Sequence, residues 1–140
     1  MGNLARLVRD TLSAGAAAAV LSGLPSTVYA LARGEDPLEA SLAAGTLLTP
    51  QETRRIALLA SGATAHVALS LGWAFALAAT LPKRHTALAG AAAGLVIAAL
   101  DLGVAGRYFP RIRTLRPGPQ VADHIAFGAV TGAVLAHRRR

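Results

Sequence analysis

The chain has 140 residues, the length of one domain, with 54% apolar and 15% charged residues and a net charge of +7. Charged side chains form roughly 25% of an ordinary soluble domain, so the composition points to a membrane protein whose partner is the lipid bilayer. The absence of cysteine excludes disulfides, thiol catalysis and thiolate metal sites, and a basic excess without interleaved aromatics fits anionic lipid headgroups rather than nucleic acid.

The first apolar run covers residues 11–33, behind Arg6 and Arg9. Pro25, in the stretch SGLPST, predicts a kink or break in it. The same region also has the form of a signal peptide, with Ala30-Leu31-Ala32 as the cleavage site, in which case three spans would remain. Asp36-Pro37-Leu38-Glu39 then has the N-cap, N1 and N3 residues of a helix start. The run that follows, Leu38 to Leu48, is too short to cross a bilayer, which predicts a short interfacial or partly re-entrant helix. Thr49-Pro50-Gln51-Glu52 repeats the signature and predicts a second helix from Pro50 to about Thr80.

Within that helix, residues 56–81 form the second predicted span, closed by Pro82 and the basic turn Lys83-Arg84-His85. Trp73 lies in mid-span, which favours core packing over an interfacial role. Residues 86–106 form the third span and hold Gly90 and Gly94 at a spacing that lets another helix approach closely. Asp101 lies inside this span, where a carboxylate is costly. A loop with Arg107, Arg111, Arg113 and Arg116 leads to the fourth span, residues 119–136, with Gly128 and Gly132 at the same spacing. His137 and three arginines close the chain. The predicted fold is all-α, a single transmembrane domain: a four-helix membrane bundle with a short interfacial helix between spans 1 and 2.

Four spans put both termini on one side. Lys and Arg divide seven against seven between the two sides, so the positive-inside rule does not choose between them; the reading adopted places the termini in the cytoplasm. At 1.5 Å per residue, His66 lies about 15 Å inside its span, Asp101 about 8 Å from the end of its own, and Asp123 and His124 about 6 to 8 Å from the start of theirs. With Tyr29, near the end of the first span, they fall in the same half of the bundle, away from the termini. Intramembrane acids and histidines mark ion paths, proton relays and ligand sites, so these five residues are read as a polar pocket or relay. The alternative is that they tie helices together. The glycine pairs predict close helix contacts, within the bundle or between subunits.

A metal site is not predicted. Asp123 and His124 are adjacent, about 100° apart around a helix, and no span has two histidines at ligand spacing. Haem through His66 and His124 agrees in depth alone, and no cofactor is expected. There is no nucleotide loop and no metalloprotease motif. Ser70 is one turn from His66, but without an oxyanion device this is a weak hydrolase signal; the reading leans away from an enzyme and keeps an intramembrane enzyme as a third alternative.

Three stretches, SGLPSTVYAL, DPLEASLAAG and PQVADHIAFGAVTGAVL, make the chain resemble small uncharacterised bacterial four-span proteins, the YagU-like inner-membrane family. The resemblance lies in the order of elements, the Pro25 motif and Asp123-His124 followed by Gly128 and Gly132. It implies a bacterial inner (plasma) membrane location and no established catalytic residues. The function expected is that of a non-enzymatic membrane subunit or homo-oligomeric helper, with a membrane-protein partner or a second copy. The alternative is a small transporter or proton-linked permease using the Asp/His pocket.

Overall fold

The computed structural model describes residues 2–140, and every element among them is helical. Helix α1 covers Gly2–Leu21 and α2 Leu24–Arg33. Helix α3 is the short Glu39–Gly45, and α4 covers Arg55–Thr80. Helix α5, Thr86–Leu100, runs on through a π turn at Asp101–Ala105 into α6, Gly106–Tyr108. A four-residue α7, Pro110–Arg113, precedes α8, Pro117–Arg138.

Three helical stretches are long and apolar enough to cross a membrane: Gly2–Arg33, Arg55–Thr80 and Thr86–Tyr108, of 32, 26 and 23 residues. Helix α8 has the length, at 22 residues, but its first two turns carry Gln120, Asp123 and His124, and these polar groups lower its mean hydropathy. Its surroundings account for the difference. No residue from Pro119 to Gly132 is exposed, because α5, α1 and α2 all pack on α8.

The helices follow one another across the molecule as α5, α8, α1, α4 and α3. Helices α4 and α5 are consecutive in sequence but are not closely packed on each other, and both contribute side chains to a core shared with α1 and α8. Ala18, Ala74, Leu77, Ile97 and Phe127 form a buried cluster there, with Trp73, Leu81, Ala93 and Val130 against it. A second cluster joins Ala14, Ala78 and Leu135. The outer faces of α4 and α5 remain open and apolar: Ile56 is 78% exposed and Leu88 72%.

Glycine sets the tightest contacts. A Cβ on Gly90 would strike the Gly128 carbonyl oxygen, and one on Gly128 the Gly90 oxygen. Gly94 lies against the His124 carbonyl and Gly132 against that of Thr86. The two pairs therefore face each other across α5 and α8. A second such contact, Gly45 on the Leu58 carbonyl and Gly62 on that of Ser41, seats α3 on α4.

Several boundaries differ from expectation. The first helix starts at Gly2, so the Arg6 and Arg9 turn is helical, and it breaks fully between Leu21 and Leu24. The helix expected from Pro50 starts at Arg55. Thr49 cannot cap it, because its hydroxyl donates to the Gly45 carbonyl at 3.0 Å and lies 3.2 Å from the Ser61 hydroxyl. Glu52 turns instead to the backbone N–H groups of Thr53 and Arg54, both at 2.9 Å. At Asp36 the expected local bond does form, with the Leu38 N–H donating to its carboxylate at 2.9 Å. The helix after it is Glu39–Gly45 rather than the whole run to Leu48.

The two ends of the molecule are closed by charge. At the terminal end Arg138 pairs with Asp10 at 2.8 Å, and Arg139 donates to the Ala78 and Leu81 carbonyls, the open C-terminus of α4. At the junction end Asp36 pairs with Arg55 at 2.7 Å, Glu39 with Arg111 at 2.7 Å, Glu35 with Arg116 at 3.0 Å and Glu52 with Arg54 at 2.9 Å.

Candidate functional site at the broken first helix

The break at Ser22-Gly23 follows from Pro25. A proline at N1 or N2 starts a helix without needing its own N–H, but it cannot continue one from before. The break leaves carbonyls at the end of α1 and N–H groups at the start of α2 without helical partners. Away from water such groups cost several kcal/mol each on the order-of-magnitude scale for hydrocarbon. The N-cap position, Gly23, has no side chain to supply a bond.

Two residues from other helices close the gap. The His66 ring, on α4, donates from Nε2 to the Ala19 carbonyl at 2.8 Å. Asp123, on α8, accepts the Ser26 backbone N–H on Oδ1 at 2.8 Å. The acid thereby acts as an N-cap for α2 from 97 residues away, with its negative charge at the positive end of the helix dipole. Two of the residues expected in a pocket thus complete the backbone of a discontinuous helix.

Asp101 and His124 form a second, separate unit. His124 Nε2 lies 3.0 Å from Asp101 Oδ2, and His124 Nδ1 lies 2.7 Å from the Gln120 carbonyl. Asp101 is the first residue of the π turn, which inserts an extra residue into the helix and re-aims its side chains; π turns of this kind are frequent at functional sites. The pair is partly accessible, with side-chain exposures of 34% for Asp101 and 20% for His124.

Tyr29 stands apart from these four. It lines a cavity of about 170 Å³ between α2, α3 and the start of α8, with Glu35, Asp36, Glu39, Arg116 and Gln120. The Arg116 guanidinium lies 6.0 Å from the Tyr29 ring centroid, a cation–π distance. The Arg55 guanidinium keeps the Asp36 carboxyl below its ordinary range, and Arg54, with two backbone N–H groups, brings Glu52 down to about 2.

Among the described residues, no three His, Asp or Glu side chains converge where a metal ion would sit. Sequence reasoning missed Ala19 and Gln120, which act through backbone carbonyls that no side-chain pattern reveals. It also missed Asp10, whose only signal is an acid among arginines. No protein-family model matches the chain, and neither a curated protein nor a solved structure is similar to it.

Proposed function

We propose that this chain is a multi-span membrane protein in which α8 is a fourth, inner span, and that it works as a non-enzymatic subunit of a membrane assembly. One observation carries the reading. The long helix that falls short of the apolar character of a span, α8, is the enclosed one, while the open faces of α4 and α5 present Ile56, Leu88 and Val96. A soluble bundle has the reverse arrangement, with polar residues on its open faces. In lipid, apolar outer faces and a sheltered polar helix are the stable solution.

The facing glycine pairs are buried between α5 and α8, so assembly with a partner or a second copy would use the outer faces of α4, α5 or α1. Orientation with the termini in the cytoplasm is supported by the charge pairing. Among the described residues, four of the seven junction-end cations are in ion pairs, Arg54, Arg55, Arg111 and Arg116, against Arg138 at the terminal end. The terminal end is the more strongly positive and suits an anionic cytoplasmic leaflet. The resemblance of SGLPSTVYAL, DPLEASLAAG and PQVADHIAFGAVTGAVL to the YagU-like proteins points to a bacterial plasma membrane.

Native mass spectrometry after gentle extraction from the source membrane tests the subunit reading. The expected result is a stoichiometric complex with a second membrane protein or a defined homo-oligomer. A bare monomer at every extraction strength would remove it. The second reading, a proton-linked transporter, is favoured by one observation alone, the Asp101–His124 pair beside a π turn.

A further inference from the structure

Of the four acids and histidines read as intramembrane, His66 and Asp123 are engaged by backbone atoms of the broken helix. Asp101 and His124 bond to each other, and the second nitrogen of His124 fixes what they hold. A carbonyl oxygen accepts and never donates, so the 2.7 Å contact with Gln120 requires a hydrogen on Nδ1. The 3.0 Å contact between Nε2 and Oδ2 is then a hydrogen bond only when one proton lies in it. That proton sits on Nε2, giving imidazolium and carboxylate, or on Oδ2, giving neutral imidazole and carboxylic acid. Both forms are neutral as a pair and use the same bonds. Loss of the proton to water leaves an imidazole lone pair facing a carboxylate, and the bond between α5 and α8 is gone.

We propose that Asp101 and His124 are a one-proton binding site, exchanging with water at the junction end and coupling proton release to loosening of the α5–α8 contact at the π turn. The partial exposure of Asp101 supplies the exit. The π turn, with Gly103 inside it, supplies a backbone segment able to shift. The charged surroundings are few. Asp123 is the neighbour of His124 on α8, and α4 contributes His66. The segments packed on the π turn contribute Arg107, Arg111 and Arg113, of which Arg111 is held by Glu39. From α2 come only the Ser26 N–H, already on Asp123, and Tyr29, facing Arg116.

The test is nitrogen-15 NMR of the full chain, labelled at histidine, in lipid nanodiscs between pH 4 and 10. The four histidines are assigned with one His→Gln variant each. The expected result is a His124 ring whose Nδ1 stays protonated throughout while Nε2 loses its proton in one step. Asp101→Asn moves that step by more than one pH unit; Asp123→Asn, which leaves the pair intact, moves it less. A His124 ring that never titrates, one that releases Nδ1 first, or a step unmoved by Asp101→Asn overturns the proposal. Asp101→Glu, which keeps the carboxyl group, restores the coupled step if Asp101→Asn fails to fold, and an uncoupled step in it also overturns the proposal.

Discussion

The contact between α5 and α8 and the joint between α1 and α2 solve the same problem by opposite means. Where Gly90 and Gly94 of α5 meet Gly128 and Gly132 of α8, small residues let the two helices approach until backbone meets backbone, with no polar side chain between them. At the joint the helix itself is interrupted, and two ionisable side chains from other helices replace the missing hydrogen bonds. An acid or histidine inside a membrane span is therefore not a sign of transport by itself. Where a span is broken, the exposed backbone ends call for such a residue, and only the groups left over, here Asp101 and His124, are free for other work.

Gly128→Val should give the largest effect. Its side chain would enter the Gly90 backbone, where neither helix has a flexible group to move aside. Overpacking of this kind costs about 3 kcal/mol or more, read as a fall in unfolding free energy in mixed micelles. A loss under about 1 kcal/mol would mean that the two helices separate easily, and the contrast with the joint would fail.

Asp123→Ala comes next. Removal of an N-cap side chain costs about 1–2 kcal/mol, and the loss should be local, seen as faster hydrogen exchange at Ser26 and the first turn of α2. His66→Ala should cost less, about 0.6 kcal/mol on the average for polar contacts between membrane helices, and expose the end of α1. Equal exchange rates at Ser26 in wild type and Asp123→Ala would show that the joint does not depend on its borrowed cap.

The smallest effect is expected from acid at the junction end. Asp36 and Glu52 have carboxyl pKa values lowered in the folded chain, Glu52 from 4.5 to about 2. A lowered folded value means that the stabilisation is present above the unfolded value and is lost as pH falls through the folded one. The Glu52 contribution is thus complete above about pH 4.5 and disappears toward pH 2. Both pairs are exposed, so the effect should be slight and weaken further in salt. Limited proteolysis between Arg33 and Arg55 should rise over this range; no change would show that the ion pairs do not order the junction.

Much of the architecture was legible because it rests on local chemistry. Pro25 marked the break, the repeated glycines marked close approach, and Asp36-Pro37 marked a helix start. The rest depends on partners distant in sequence. Nothing near His66 indicates that its ring reaches a carbonyl 47 residues earlier. The Thr49 motif has the form of a capping box, but Gly45 and Ser61 take its hydroxyl first. The π turn at Asp101 has no proline to announce it, and the depth of the polar groups placed them in one half of the bundle without dividing them into a cap pair and a proton pair. Helix α8 reads as only moderately apolar because its environment is other helices, which hydropathy does not register.

Whether α8 crosses the membrane decides most directly between this account and any other. The chain has no cysteine, so single variants such as Gly118→Cys, Thr53→Cys and Arg140→Cys can be labelled cleanly with a membrane-impermeant maleimide in sealed vesicles of known orientation. The account predicts that Gly118→Cys and Thr53→Cys react from one side and Arg140→Cys from the other. Labelling of Gly118→Cys and Arg140→Cys from the same side would show that α8 does not span, and the inner-span reading would be wrong.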